Sequence, residues 1–316
     1  MFLARGIALS FSVMLLLYSA LSVVVGLLWR LAERICHRRF SPRITADLLF
    51  GLRIMPLALS ALVTIVFTVP SFLLLEPHSI DEPIGAIPLA LSGCGALLFV
   101  VGMFKATLAQ VRTTKVVADW SAEATRVATG ASVSVFRTGK VVPALTAAGI
   151  LKPKVLMSEA AVAVLTEPEL RGALGHEVAH VRRRDNLKKL LLRFCAFPGM
   201  AGLEKAWSEI AEIAADDAAV SNASEALDLA SALLKLSRLE PVPQSAELTT
   251  GLLHSPAATV SARVERLIAW DYAHASTRQF SAWYALLPAF GMVVCAGVTY
   301  HAMLSQLHLV TEWLVR

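Results

Sequence analysis

Charged residues are scarce in this sequence of 316 residues. Asp, Glu, Lys and Arg together make up 17% of it, whereas soluble domains usually contain about 25%. Hydrophobic residues reach 56% of the chain. This balance excludes an ordinary soluble protein and indicates that much of the apolar surface faces lipid.

Cysteine is also rare, and its spacing forms no motif. The sequence contains Cys36, Cys94, Cys195 and Cys295, and no two of them form a C-x-x-C pair. This predicts neither a disulfide framework nor a thiolate zinc site. The net charge of +5 is small, and the basic residues mostly adjoin apolar stretches. The placement of these basic residues therefore reflects membrane topology, and we expect no direct binding of nucleic acid.

Four stretches are long and apolar enough to cross the hydrocarbon core of a bilayer, which requires about 20 helical residues. They cover residues 7–29, 54–75, 84–104 and 282–304. The first is longer than the apolar core of a signal peptide, and arginines follow it, so we expect a retained helix. The predicted fold is an α-helical integral membrane protein with four transmembrane helices.

Positive charge is distributed unevenly between the connections of these spans. Five arginines lie between residues 30 and 43, whereas residues 76–83 contain acidic side chains and no Lys or Arg. The first connection is therefore predicted to be cytoplasmic and the second external. It follows that residues 107–281 lie in the cytoplasm and that both termini are external.

Residues 107–281 are the part of the sequence that can form a soluble α+β domain. Ser132–Arg137 and Lys154–Met157 have the pattern of short strands. From Thr166 onward the pattern is helical, and Glu169 completes a predicted capping box. The predicted organisation is a three-helix transmembrane region at residues 1–106, this domain at 107–281, and a fourth helix with a short external tail at 282–316.

The clearest motif is H-E-x-x-H, formed by His176-Glu177-Val178-Ala179-His180. Two histidines four residues apart project from one face of a helix, so both imidazoles can bind one zinc ion. Glu177 is then placed to act as the general base toward a water molecule that the metal activates. The pattern predicts a zinc metallopeptidase.

A catalytic zinc ion requires a third protein ligand, and acidic residues of a second predicted helix, 204–220, can provide it. Glu212 and Asp216 are four residues apart and share a face, so one can bind the metal while the other supports a ligand. Glu209 is an alternative ligand on spacing alone.

Several segments resemble one known family. Gly149-Ile-Leu-Lys-Pro-Lys-Val155, Glu169-Leu-Arg171, the H-E-x-x-H motif and Arg183-Arg-Asp-Asn186 resemble membrane metallopeptidases typified by the β-lactam sensor-transducers of the BlaR and MecR type. The resemblance covers nearly the whole chain. It implies three spans, a cytoplasmic gluzincin-type zinc domain and a fourth span, in the cytoplasmic (inner) membrane of a bacterium.

A second resemblance concerns the acidic helix. The segment Glu212-Ile-Ala-Ala-Asp216-Asp-Ala-Ala219 is similar to the E-x-x-A-D-x-x-A element of the related CAAX prenyl and HtpX-type peptidases. This implies that Glu212 is the third zinc ligand and that Asp216 supports a ligand. His254-Ser-Pro256 followed by Arg263 is similar to an H-x-P…R segment in those relatives, which implies His254 or Arg263 as an oxyanion stabiliser.

The antibiotic receptors continue into an external sensor domain, whereas only about a dozen residues follow the predicted fourth span here, with no S-x-x-K context. We therefore expect no direct sensing of β-lactams. The signal would come from a sensor subunit, a second copy in a homodimer, the external loop or the membrane itself.

The resemblance implies a zinc endopeptidase that acts in signal transduction on a cytoplasmic protein. A DNA-binding transcriptional repressor is the expected substrate, and self-cleavage is a further expectation. Two alternatives remain open at this point: a constitutive quality-control or prenyl-type membrane peptidase, and a non-catalytic receptor that retains the zinc fold for docking.

Overall fold

The computed structural model describes residues 2–36, 41–76, 84–128, 133–139, 142–195, 197–239, 247–250 and 257–270, with six positions between 300 and 309. The described part is mostly helical and contains one small mixed sheet. The core of the predicted fourth span and His254 lie outside these residues.

Three long helical stretches are apolar enough to cross a membrane. They consist of α1 (Phe2–Cys36), α2 (Pro42–Val63) continued by a π-helical turn (Thr64–Thr68) and α3 (Val69–Leu75), and α4 (Ala86–Ser121). The candidate spans within them are Phe2–Arg30, Pro42–Leu75 and Ala86–Ser121.

Large apolar side chains on these helices are widely exposed in the isolated chain. Those that are more than half exposed include Ile7, Leu62, Ile65, Leu74, Ile87 and Phe104. Such a continuous apolar surface is expected where lipid replaces water. Three of the four predicted spans are therefore confirmed as membrane-spanning candidates.

Helix α2 begins at Pro42, earlier than the predicted boundary at residue 54. The Ser41 side chain caps its first turn, and Pro42 occupies a position where a missing N–H costs little. Ala46 and Leu49 are fully buried, in one cluster with Trp207. One face of the early turns of α2 thus packs against the helix that carries Trp207.

Helix α4 extends past the predicted end of its span at residue 104 and reaches the soluble domain. Val117 and Trp120 are buried against Leu156 of the sheet. Within the span, a Cβ atom at Gly102 would collide with the carbonyl oxygen of Phe194. Glycine therefore permits the close approach of α4 to the domain.

The sheet contains four strands: β1 (Thr125–Val127), β2 (Ser134–Thr138), β3 (Leu145–Ala148) and β4 (Lys154–Ser158). Their order is β1-β2-β4-β3; β2 and β4 are parallel, and the other two pairs are antiparallel. The predicted strands at 132–137 and 154–157 are confirmed as β2 and β4. Strand β3 lies at an edge of this sheet.

Six helices complete the described part of the domain. They are α5 (Glu159–Val164), α6 (Glu167–Arg182), α7 (Asp185–Phe194), α8 (Ala201–Ala219), α9 (Ala223–Leu236) and α10 (Ala257–Ile268). Leu229 and Leu233 of α9 are fully buried in a core shared with Val155 of the sheet and Ala173 of α6. Helix α6 is thereby held between the sheet and α9.

Helix α6 begins as predicted. Thr166 is its N-cap and Glu169 completes a capping box, with the Thr166 amide donating to Glu169 Oε2 at 2.8 Å. Glu169 also accepts hydrogen bonds from Ser231 and Lys235 of α9. The same carboxylate therefore starts the motif-bearing helix and joins it to the core.

Candidate metal centre

Helix α6 presents its motif to the interior of the domain. His176, Glu177 and His180 are each at most 2% exposed. The helical spacing places both imidazoles on one face, and their Nε2 atoms lie 3.0 Å apart. Two ring nitrogens thus converge on one point.

Helix α8 brings one carboxylate to the same point. Glu212 Oε2 lies 3.5 Å from His176 Nε2, and Oε1 lies 3.6 Å from His180 Nε2. The side chain of Glu209, one turn earlier, is 44% exposed and pairs with Lys205. The structure therefore brings Glu212, and not Glu209, to the histidines.

The remaining ring nitrogen of each histidine faces a buried carboxylate. His176 Nδ1 lies 2.8 Å from Asp216 Oδ1, and His180 Nδ1 lies 2.7 Å from Asp185 Oδ2. A carboxylate in this position fixes the orientation and tautomer of a ligating imidazole. Asp216 therefore lies where the sequence resemblance implied a supporting residue.

No role for Asp185 was predicted from the sequence. It follows Arg184, which has φ 56° and breaks the helix just after α6. This left-handed residue turns the chain so that Asp185, at the start of α7, faces back toward His180. The spacing of five residues between His180 and Asp185 is visible in the sequence, but it brings the two side chains together only because the chain turns at Arg184.

Arg263 of α10 is 2% exposed and lies behind the same carboxylates. Its Nε and one terminal nitrogen donate to the two oxygens of Asp216, each at 2.7 Å. The other terminal nitrogen donates to Glu212 Oε2 at 3.1 Å. Arg263 thus anchors both acidic residues. Its role as an oxyanion stabiliser stays a prediction, as does that of His254.

Glu177 lies between the histidines and the edge of the sheet. Its Oε2 accepts a hydrogen bond from the Ala147 amide of β3 at 2.9 Å. Its Oε1 is buried and has no hydrogen-bond partner within the described residues. Burial raises the pKa of Glu177. A carboxylate with a raised pKa and one uncommitted oxygen suits proton transfer near neutral pH.

The electrostatics of the centre favour bound positive charge. Burial disfavours the charged imidazole of His176, yet Asp216 and Glu212 raise its pKa to about 9. Burial also opposes ionisation of Asp216, but Arg263 and His176 outweigh it and lower the pKa of that carboxyl. Arg263 pairs with Asp216 and Glu212 from outside the cluster, and Arg183 and Lys188 pair with Asp185 in the same way. A divalent cation between the histidines would displace the proton from His176.

The donor set fits zinc. His176, His180 and Glu212 each offer a ligand atom, and these atoms lie within 4.8 Å of one another. Zinc–ligand bonds of about 2.0–2.1 Å in a tetrahedron place ligand atoms about 3.3 Å apart. The observed separations of 3.0, 3.5 and 3.6 Å are close to that value. Two imidazoles and one carboxylate are a known catalytic zinc set.

The sequence model that describes Peptidase family M48 matches residues 110–271, just over half of the chain. The chain belongs to this peptidase family. The matched region contains the whole cluster of histidines and carboxylates described above. No match was found among curated proteins.

Membership of family M48 confirms the predicted metallopeptidase, since peptidases of this family are typically zinc-dependent. Together with the three apolar helices, it indicates a membrane-associated enzyme. The finer resemblance to β-lactam sensor-transducers, the orientation of the domain and the roles of individual site residues stay predictions.

Proposed function

We propose that this chain is a membrane-embedded zinc endopeptidase that hydrolyses a peptide bond of a cytoplasmic protein. The observation that carries the proposal is the convergence of His176, His180 and Glu212 beside the Glu177 carboxylate. When bound, a zinc ion would supply Lewis acidity, polarising the scissile carbonyl and lowering the pKa of water toward about 7.

Glu177 would move the protons of the reaction. Its uncommitted Oε1 accepts a proton from the attacking water, and the same carboxyl returns that proton to the departing amine. The bond from the Ala147 amide to Oε2 holds the carboxylate in place during both steps. Asp216 and Asp185 keep the two imidazoles oriented.

Strand β3 supports a mode of substrate binding. It is an edge strand next to Glu177, and an edge strand offers its backbone groups to an extended peptide. Such pairing depends on the backbone of the substrate more than on its side chains, which agrees with an endopeptidase that acts on a flexible segment of a protein.

The arginine-rich first connection supports a cytoplasmic location of the domain and external termini. On this basis the proposed substrate is a cytoplasmic protein, with a DNA-binding repressor as the first candidate to test. A repressor that is cleaved only after an external stimulus would favour signal transduction over constitutive quality control or prenyl-type processing.

The full-length protein in detergent micelles should cleave fluorescein-labelled casein after loading with zinc, and a chelator should abolish this cleavage. Glu177→Gln should bind the same amount of zinc but lose at least about 100-fold in cleavage rate. Equal cleavage by the two proteins would refute the mechanism. Bound zinc without proteolysis by this protein or by any variant that opens the site would instead favour the non-catalytic receptor.

A further inference from the structure

Residues 247–250, which we call the strap, lie against edge strand β3. Thr250 and Ala147 form an antiparallel bridge. The Ala147 amide donates to the Thr250 carbonyl at 2.8 Å, and the Thr250 amide donates to the Ala147 carbonyl at 3.1 Å. The same Ala147 amide donates to Glu177. The strap therefore covers the edge at the position of the proposed general base.

Two helices hold the rest of the strap. From α7, Lys189 Nζ donates to the Thr249 carbonyl at 2.6 Å. From α4, the Thr113 hydroxyl accepts from the Leu248 amide at 3.2 Å. Leu248 and Thr249 are at most 1% exposed. Side chains of a groove thus bind the backbone of the strap, and the bridge to Ala147 adds the edge pairing by which an extended peptide joins a sheet.

A charged contact at the rim holds the other end of the strap. Glu247 lies 3.9 Å from Arg112 of α4 and 3.4 Å from Arg193 of α7. All three side chains are more than a third exposed. Exposed ion pairs are weak, so this tether can open without a large cost in free energy.

The backbone groups of Ala147 in edge strand β3 have hydrogen-bond partners besides the strap. The Ala147 amide keeps its bond to Glu177, and the Ala147 carbonyl keeps a bond from Asn186 Nδ2 at 3.0 Å. These groups of Ala147 would therefore stay paired if the bridge to Thr250 opened. Unpaired buried groups are the usual penalty for removing a strand, and here that penalty is reduced.

Resting on the proposed peptidase function, we infer that the groove between α4, α7 and β3 is the peptide-binding cleft, that the strap blocks it, and that Lys189 binds a carbonyl of the substrate backbone. The ligand class is a peptide segment that replaces Thr249 and Thr250 beside Ala147. Lys189 then acts as a positioning residue, and release of the strap precedes substrate binding.

A binding experiment tests this inference without requiring catalysis. The probe is a fluorescein-labelled hexapeptide with the sequence of residues 247–252, added to full-length protein carrying Glu177→Gln. Thr250→Pro in this background removes the amide that donates to Ala147. We expect the probe to bind about two- to tenfold more tightly, the equivalent of one net hydrogen bond. Unchanged affinity, with faster amide exchange in residues 247–250, would overturn the inference, because the strap would then be only structural.

A second variant covers the case in which Thr250→Pro fails to fold. Glu247→Arg places like charges at the rim and should loosen the strap, so that a probe of residues 248–252, which lacks Glu247, binds more tightly by up to about fivefold. The double variant Glu247→Arg/Arg193→Glu replaces one of the two lost ion pairs and should bring the affinity part of the way back. Equal probe affinities of the single and the double variant would contradict a charge tether.

Lys189→Met gives the matching test of the cleft. In the Thr250→Pro background it should weaken probe binding by about two- to tenfold, and in active protein it should raise KM for casein more than it lowers kcat. Unaltered probe binding would refute the role of Lys189. If the probe binds as expected but Thr250→Pro protein with Glu177 intact never cleaves casein, the proposed function fails while the cleft stands.

Discussion

The His180 imidazole and the Asp185 carboxylate lie 2.7 Å apart, and both side chains are almost fully buried. Asp185 is the first residue of α7, five positions after its partner. Burial opposes ionisation of Asp185, but His180, together with Arg183 and Lys188, outweighs it and the pKa of the carboxyl is lowered. The charged carboxylate therefore holds Nδ1 and leaves Nε2 directed at the metal centre.

Asp185→Asn should weaken zinc binding because an amide neither fixes the tautomer nor raises the basicity of the imidazole to the same extent. Loss of such a partner typically costs 10- to 100-fold in metal affinity, so we expect a change of about that size. Competition with a chromophoric chelator measures it directly.

Asp217→Asn is the matched control for this experiment. Asp217 lies on α8 like the candidate ligand Glu212, but it pairs with Arg266 and not with a histidine. Its substitution should leave zinc affinity within about twofold of the original value. A similar loss in both variants would mean that overall stability, and not orientation of His180, determines zinc affinity.

The sequence predicted those parts of the site that local spacing determines. His176, Glu177 and His180 needed only the geometry of one helix. Glu212 needed a second helix, and spacing alone left Glu209 equally acceptable. The choice between them depends on which face of α8 is buried against α6, and that is a tertiary property.

Other features were missed for similar physical reasons. Strand β3, Leu-Thr-Ala-Ala, is buried on both faces and so shows no alternation of polar and apolar residues. The pairing of Thr250 with Ala147 joins segments about a hundred residues apart, which no local pattern can reveal. Arg263 was noticed only through a family resemblance, whereas its ion pair with Asp216 is a product of packing between α8 and α10.

Substitution of Glu212 and of Glu209, both on α8, should show which of the two binds zinc. Glu212→Gln removes a charged donor from the centre, and we expect zinc affinity to fall by at least about 100-fold. Glu209→Gln alters an exposed side chain that pairs with Lys205, so it should bind zinc normally. Zinc content after dialysis against a weak chelator distinguishes the two. Retention of zinc by Glu212→Gln together with loss in Glu209→Gln would reverse the assignment.

Removal of the buried guanidinium should destabilise the zinc-free protein. Arg263→Met leaves Asp216 and Glu212 without their shared cation, and breaking a buried ion pair in this way costs about 3–5 kcal/mol of unfolding free energy. Zinc would restore part of this loss because it compensates the same carboxylates. Denaturant unfolding in mild detergent, with and without zinc, measures both effects.

Arg266→Met provides the comparison for that variant. Arg266 also forms a two-pronged contact with an aspartate of α8, at 2.6 and 2.8 Å, but its side chain is 34% exposed. Exposed pairs contribute about 0–1 kcal/mol, so this variant should lose little stability. Comparable losses in the two variants would show that burial of Arg263 carries no special weight.

Acid should remove the contribution of Glu169 to stability. Burial acts to raise the pKa of this carboxyl, but hydrogen bonds from Lys235, Ser231 and Thr166 outweigh it and lower the pKa from 4.5 to about 2. A folded-state pKa below the unfolded value means that the stabilisation is complete above about pH 5 and is lost as pH falls toward 2. Glu169→Gln should therefore lower the unfolding free energy of zinc-free protein by about 1–3 kcal/mol at pH 7. The difference between the two proteins should narrow steadily between pH 5 and pH 2.

Glu167→Gln is the control, because it alters an exposed residue in the same first turn of α6. This variant should show no such pH dependence. A constant loss of unfolding free energy for Glu169→Gln across the range would mean that the shape of Glu169, and not its charge, stabilises the helix.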